Sequence, residues 1–181
     1  MFDKETYVKI PMNRIGALIG QNGQDKKNLE EITLAKINVD SNTGEVTLRR
    51  AESDAFVFYR LAQLIKAIGR GFSPEKAKLL LDESNYFEII ELKEKGLKTE
   101  KQMANKRGRV IGAHGTVKKF LEDTLDCHVA IQGKTIAIIG PESKIAIAYN
   151  AIEDLIEGSS IPSVRKKVEG KLNKSKPRIF D

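Results

Sequence analysis

Apolar residues alternate with polar ones in some short runs of this chain and recur every three or four residues in others. The first spacing predicts strands with one buried face, and the second predicts amphipathic helices. The predicted strands cover residues 6–10, 36–40, 46–48, 85–90, 128–131 and 135–139. The predicted helices cover residues 24–32, 53–68, 116–125 and 142–156, with Ser53 near the start of the second.

These elements occur in the same order in both halves of the chain. Each half follows β-α-α-β-β-α, in which the first helical segment is the short aliphatic stretch that runs into a glycine loop, described below. This order predicts an α+β protein of two similar domains. The predicted core positions of the shorter helix are Leu29 and Ile32 in the first copy, and Phe120 or Leu121 together with Leu125 in the second. We assign residues 1–70 to the first domain, 71–84 to a connecting helix, 85–158 to the second domain and 159–181 to a basic C-terminal tail or helix.

The connecting segment has the start signal of a short helix. Ser73 is a suitable N-cap, and Pro74 occupies the first helical position, where its missing N–H is not needed. We expect this helix to run to Leu81 and its apolar triplet, Leu79 to Leu81, to pack between the domains.

Each half also carries a Gly-x-x-Gly loop between its first two helical segments. The loops are Gly20, Gln21, Asn22, Gly23 and Gly112, Ala113, His114, Gly115. A single match of this kind usually marks only a turn. Here the loop occurs twice at the same place, and glycine lets a sugar-phosphate chain approach the backbone closely. The helix that follows directs unpaired N–H groups and a positive dipole end toward such phosphates.

Positive charge is concentrated in two stretches of the chain. The net charge is +6, yet residues 93–119 alone hold nine Lys or Arg and two Asp or Glu, and residues 159–181 hold seven and two. Such patches suit phosphate binding, although a Lys-rich solvated surface is the alternative. In the tail, Val164, Val168 and Leu172 form a narrow apolar stripe that fits docking on the body, RNA binding or protein binding.

The basic residues are distributed unequally around the two loops. The second loop is flanked by Lys106, Arg107, Arg109, Lys118 and Lys119. The first has Lys26 and Lys27, with Arg14 nearby. We therefore predict that the second domain supplies most of the affinity for single-stranded RNA and that the first is weaker or structural.

Several apolar residues beside the loops fit two roles. Core packing and contact with bases both remain open for Ile19, Ile37, Val39, Ile111, Val129 and Ile131. His114 fits either contact with RNA or simple exposure in the loop, whereas His128 reads as a strand residue.

The repeated loop in its β-α-α-β-β-α setting resembles the type I KH domain over nearly all of residues 5–158. The tandem arrangement, the joining residues 70–75 and the tail from Gly158 resemble archaeal KH-domain proteins related to the eukaryotic ribosome-assembly factor called partner of Nob. The resemblance implies two three-stranded antiparallel sheets, each packed against three helices. It also implies binding to small-subunit (16S) rRNA near its 3′ end in ribosome biogenesis. The partners that it implies are the alpha subunit of translation initiation factor two and a Nob-type endonuclease.

Other classes of function fit the chain less well. Neither loop has the Gly-Lys-Ser/Thr ending of a P-loop. The two histidines lie 14 positions apart with one cysteine, Cys127, which gives no metal-ligand cluster and no intramolecular disulfide. We predict a buried structural role for that thiol, and no catalysis, metal or cofactor. A KH-fold scaffold that docks proteins is the alternative function.

The chain's beginning has no signal-peptide pattern, and no apolar run approaches the length of a membrane span. A cytoplasmic protein without membrane contact is therefore expected.

Overall fold

A computed structural model of the protein describes residues 5–50 and 54–175. The predicted helix start at Ser53 and the last residues of the tail, 176–181, lie outside the described residues. None of the described helices combines the length and the apolar character needed to cross a membrane.

The first copy contains three strands and three α-helices in the predicted order. They are β1 (Glu5–Lys9), α1 (Ile15–Ile19), α2 (Gln24–Thr33), β2 (Ala35–Val39), β3 (Glu45–Arg50) and α3 (Ala55–Gly69). β3 lies in the middle of the antiparallel sheet, between β1 and β2. Its alternate residues Val46 and Leu48 are fully buried, while Glu45 and Arg49 are exposed, so only one face of this sheet is packed.

The second copy repeats this arrangement with one difference in burial. Its elements are β4 (Asn85–Glu91), α5 (Glu100–Ile111), α6 (Thr116–Leu125), β5 (His128–Gln132), β6 (Thr135–Pro141) and α7 (Glu142–Glu157). β6 is the middle strand, between β4 and β5. Consecutive residues of β6, from Thr135 to Gly140, are buried, so both faces of the second sheet are covered.

The connecting segment provides part of that cover. It forms α4 (Pro74–Ala77) and then a 3-10 turn, Lys78–Leu81. The predicted cap is confirmed, since Ser73 Oγ accepts a hydrogen bond from the Lys76 N–H at 3.4 Å. Leu80 is fully buried in a core that also contains residues of both domains, and Leu81 packs against that core. The predicted packing is therefore confirmed for these two residues and wrong for Leu79, which is 39% exposed.

Side chains from the first domain and the connecting segment contact β4 of the second sheet. The Phe72 ring meets Phe87 of β4 edge-to-face, with ring centroids 6.4 Å apart. Arg60 of α3 donates hydrogen bonds to Asn85 O at 2.6 Å and Glu83 O at 3.2 Å. These contacts join the two domains into one packed body.

The C-terminal helix, α8 (Ile161–Ser175), docks on the second domain. Val164 and Val168 are 2% and 1% exposed and belong to the core of that domain. The Arg165 guanidinium stacks 4.4 Å from the ring centroid of Phe120 on α6. The apolar stripe of the tail is thus used for packing, while Lys166 and Lys171 remain exposed.

One predicted core position is wrong. Ile32 is 53% exposed, and the buried residue at the end of α2 is Thr33, whose hydroxyl donates to Leu29 O at 2.6 Å. Leu29 and Thr33 are four residues apart and share a helix face. Ile32 lies about 100° from Thr33 around the helix axis, so its side chain points away from the core.

Candidate nucleic-acid interface

The two glycine loops have the same backbone conformation. We call Gly20–Gly23 the first loop and Gly112–Gly115 the second loop. Gly20 has φ 72° and ψ 179°, and Gly112 has φ 74° and ψ 172°, a region of backbone space open essentially only to glycine. The middle residues Asn22 and His114 are both left-handed, with φ of 53° and 52°. The predicted repeat of the loop is therefore a repeat of geometry.

Each loop leads directly into a helix without a side-chain cap. Gly23 and Gly115 are the N-cap residues of α2 and α6, and neither can offer a side-chain acceptor. The first N–H groups of both helices therefore lack the usual capping partner. Ala113 and His114 are exposed in the second loop, as Gln21 and Asn22 are in the first. An anion that approached either loop would meet backbone donors and the positive end of a helix dipole.

One position after the loops carries different residue types in the two copies, and charge counting along the sequence does not show its effect. Asp25 in α2 and Val117 in α6 occupy the same place in the two copies. A Cβ built on Gly20 would lie 2.6 Å from Asp25 Cγ, and one built on Gly112 would lie 2.8 Å from the Val117 backbone nitrogen. A carboxylate thus lies against the first loop, where it repels phosphate, and a valine lies against the second.

The arginines before the second loop are occupied by the protein itself. Arg107 Nη1 donates to Gly133 O at 2.6 Å, and its Nη2 pairs with Glu100. Arg109 donates to Leu155 O at 2.8 Å and Ser159 O at 2.6 Å, at the end of α7. These guanidiniums bind acceptors far away in the chain, so sequence proximity overstated how free they are.

Arg14 of the first domain makes the same kind of hydrogen bonds as Arg109. It donates to Ile68 O at 2.9 Å, at the end of α3, and to Phe72 O at 2.7 Å in the connecting segment. In each copy, one arginine therefore fixes the last turn of the long helix and the chain that follows it.

The lysines after the loops differ between the copies. Lys26 Nζ lies 3.1 Å from both Glu30 Oε2 and Ile37 O, so it binds the edge of β2. Lys118 Nζ lies 3.4 Å from Glu122 Oε1. Lys27 and Lys119 are exposed at the next position of each helix, and Lys106 is half-buried on α5.

A groove of about 460 Å³ lies beside the second loop. Its lining residues come from α5, α6, β5 and the connecting segment: Ile111, Lys118, Val129, Ala130, Ile131, Gly71, Phe72, Ser73 and Lys76. Ile111 is 38% exposed there, whereas Val129 is 3% exposed and also packs in the core. In the first copy, Ile37 is 3% exposed and packs in the core with Ile19 and Val39 beside it. The four connecting-segment residues were not predicted as part of a site.

The two histidines and the cysteine differ in environment. His114 is exposed in the second loop, while His128 lies in β5, where burial and then the Lys76 ammonium hold its pKa below the ordinary value. Cys127 is 2% exposed, and burial raises the pKa of its thiol to about 12. The described residues bring no three His, Cys, Asp or Glu side chains together in a group that could hold a metal ion.

Fold and loops together define a tandem type I KH-domain protein, a class whose Gly-x-x-Gly loop clamps the backbone of four nucleotides. Residues 86–173 match the family described as eukaryotic-type KH domain, KH-domain type I, and residues 5–55 match the KH domain family.

Relatives and solved structures agree with that class. A KH domain-containing protein of Methanocaldococcus jannaschii is 31% identical over 96% of this chain and 77% of its own length. The RNA-binding protein pno1 of Dictyostelium discoideum is 26% identical over 89% and 69%. The crystal structure of Dim2p from Pyrococcus horikoshii is 42% identical with a TM-score of 0.86, covering 93% of this chain and 99% of that one. A chain in the a/eIF2alpha–aDim2p–rRNA complex of that organism is 41% identical, with a TM-score of 0.88 and 94% coverage of both.

This chain belongs to the family of tandem KH-domain proteins that includes pno1 and Dim2p. It is a family of RNA-binding KH proteins and not a known enzyme family.

Proposed function

We propose that this protein binds single-stranded RNA chiefly through its second domain, and that it acts on small-subunit (16S) rRNA near its 3′ end during ribosome biogenesis. The observation that carries the proposal is the second loop, an uncapped helix start beside an open groove with Lys118 on its wall. The first loop has the same backbone, but Asp25 lies against it.

The groove suggests how a strand would be held. Phosphates would meet the N–H groups of the second loop, while bases would rest on Ile111 and against the edge of β5 at Val129 and Ile131. Lys118 and Lys119 follow the loop and add positive charge along the same helix. Lys106 contributes from the preceding helix α5. Arg107 and Arg109 act mainly by holding α5 in place through their protein acceptors.

The rRNA target and the partners rest on the family. The Pyrococcus complex contains rRNA and a/eIF2alpha together with aDim2p, a relative at 41% identity. We carry both to this chain as proposed ligands, which gives a link between ribosome assembly in the cytoplasm and translation initiation. A Nob-type endonuclease is the third proposed partner, from the family resemblance.

Paired charge changes in the two loops test the ranking of the domains. Ala113→Asp with His114→Asp is expected to weaken binding of a short fluorescent single-stranded RNA at least tenfold, because two carboxylates would face the phosphates. Gln21→Asp with Asn22→Asp is the matched control and is expected to change the dissociation constant less than about threefold. All four positions are exposed, so circular dichroism should show both proteins folded. A larger loss from the first-loop pair would contradict the ranking.

Two further measurements separate RNA binding from protein docking and test the rRNA target. Each phosphate contact to a single strand adds about −0.7 to the slope of log affinity against log salt, whereas a flat response would favour a docking scaffold.

Crosslinking in cell extract, followed by sequencing of the attached RNA, is expected to enrich the 3′ region of small-subunit rRNA. Enrichment of other RNA would refute the ribosome-assembly role and leave RNA binding intact.

A further inference from the structure

The groove beside the second loop is not built from the second domain alone. Gly71, Phe72, Ser73 and Lys76 of the connecting segment line it together with residues of α5, α6 and β5. These four residues lie before the second domain begins at β4, so they are outside the KH fold whose groove they complete.

The position of the connecting segment follows from the edge of the second sheet. β5 is an edge strand, because among the described residues it pairs with β6 and has no strand on its other side, which faces the groove. On the helix side of that edge, Glu122 Oε1 accepts the Val129 N–H at 2.8 Å. On the other side, a Cβ built on Gly71 would lie 3.2 Å from Gln132 Cβ and 3.5 Å from Ala130 Cβ. β5 therefore lies between α6 and the connecting segment.

The connecting segment is held firmly where it passes β5. Arg14 Nη2 donates to Phe72 O at 2.7 Å, and the Phe72 N–H donates to Ala67 O at 3.1 Å. Phe72 is 2% exposed, so it presents little surface to the groove and acts mainly as its fixed support. A wall fixed in this way needs little ordering when a ligand binds.

Positive charge accumulates on this side of the groove. Lys76 is exposed, and its Nζ has no hydrogen-bond acceptor or ion-pair partner within residues 5–50 and 54–175. Both Lys76 and Lys118 line the groove, and both depress the pKa of His128, although burial is the largest cause. Glu122 and Asp126 act on His128 in the opposite direction. Two ammonium groups thus line one groove. Of the two, Lys118 is the one that forms an ion pair within the described residues, with Glu122.

Among the described residues, the first copy has no such wall. It has no preceding connecting segment in the described residues, and Lys26 binds Ile37 O at the corresponding strand edge. The composite groove is therefore a property of the second domain in its tandem setting.

We propose that the connecting segment forms the second wall of the RNA groove and that Lys76 contacts a phosphate of the bound single strand. The ligand is the same strand of RNA that the second loop holds, so this inference rests on the proposed function. Lys76 supplies a cationic contact that an isolated second domain would not have.

Substitutions at Lys76 test the wall. The probe is a fluorescent single-stranded RNA of about 12 nucleotides with the 3′ sequence of small-subunit rRNA, roughly three times the reach of one loop. Lys76→Glu is expected to weaken binding about tenfold, and Lys76→Ala about threefold, with the salt slope reduced by about 0.7 in the alanine variant. Lys36→Glu makes the same charge change on the exposed outer face of the first sheet and is expected to stay within about twofold of the unsubstituted protein.

The outcomes separate this inference from the proposed function. If both Lys76 variants bind normally while the second-loop double variant does not, the wall is wrong and the RNA function stands. If Lys36→Glu weakens binding as much as Lys76→Glu, long-range charge explains the effect and the wall is also wrong. If the second-loop double variant binds normally as well, the proposed function fails. Because Lys76→Ala removes an exposed side chain, it remains a usable test even where charge reversal affects folding.

Discussion

Removing the Arg60 side chain should uncouple the two domains more than any surface substitution. Arg60 is 8% exposed and lies on α3, with its guanidinium between the rings of Phe56 at 5.0 Å and Tyr86 at 5.6 Å. It donates to Glu83 O, just before β4, and to Asn85 O, at the start of β4. Arg60→Ala would therefore remove a contact made across the domain junction.

The structure allows the cost to be estimated. Two hydrogen bonds from a charged donor contribute about 3–6 kcal/mol together, and the stacking on the two rings adds about 1 kcal/mol. Arg60 Nε is buried and has no hydrogen-bond partner within the described ranges, which offsets about 1–3 kcal/mol. We therefore expect Arg60→Ala to lower the free energy of unfolding by about 3 kcal/mol.

Urea unfolding, followed by circular dichroism, measures this change. Arg49→Ala is the control, because Arg49 pairs with Glu5 on the surface and its side chain is 69% exposed. Such a pair contributes less than about 1 kcal/mol. The unsubstituted protein should unfold in one transition, since one core contains residues of both domains, and Arg60→Ala should split it into two. A loss as small as that of Arg49→Ala, with one transition kept, would refute Arg60's role in joining the domains.

The remaining predictions concern the second loop and His128. Gly112→Ala should lower the free energy of unfolding by about 3 kcal/mol, because its backbone region is closed to alanine and the added Cβ would approach Val117 N. Gly115→Ala should lower it by about 1 kcal/mol, because the added Cβ meets open space and only the left-handed backbone is unfavourable. Equal losses in urea unfolding would contradict this difference. A bound phosphate near Lys76 should stabilise the protonated form of His128 and raise its lowered pKa, which a proton NMR titration with and without RNA measures. An unchanged or lower pKa in the complex would exclude a phosphate there.

The repeat and its loops could be predicted because they depend on local patterns. Alternating runs and glycine spacing are short-range signals, and the predicted bounds of the helix after the second loop, 116–125, coincide with α6. The loop geometry is likewise local, because only glycine adopts the backbone angles at Gly20 and Gly112.

The covered outer face of the second sheet had a signal in the sequence that was not used. β6 is apolar at successive positions from Ile136 to Ile139, which indicates a strand buried on both faces. β3 alternates instead and has one solvent face. Comparing these two middle strands would have predicted that something packs on the second sheet. It would not have identified α3 and the connecting segment as the cover.

The free basic residues could not be predicted by counting charges. Arg107 and Arg109 were grouped with Lys118, yet both guanidiniums bind carbonyl oxygens 26 or more positions away. Asp25 was equally hidden, since its effect depends on its packing against Gly20 and not on net charge. Long-range hydrogen bonds and side-chain direction are properties of the fold, and a single sequence does not display them.

The wall of the groove and the cover of the second sheet are the same piece of chain. The chain leaves α3 at Gly69, passes β5 at Gly71 and must reach β4 on the opposite edge of the sheet. Two strand spacings amount to about 10 Å, which three or four extended residues would span. The surplus residues fold into α4 and the 3-10 turn and bury Leu80 on the way. Shortening this segment would therefore expose the sheet and open the groove together, so under the proposed function it should also weaken RNA binding by the second domain.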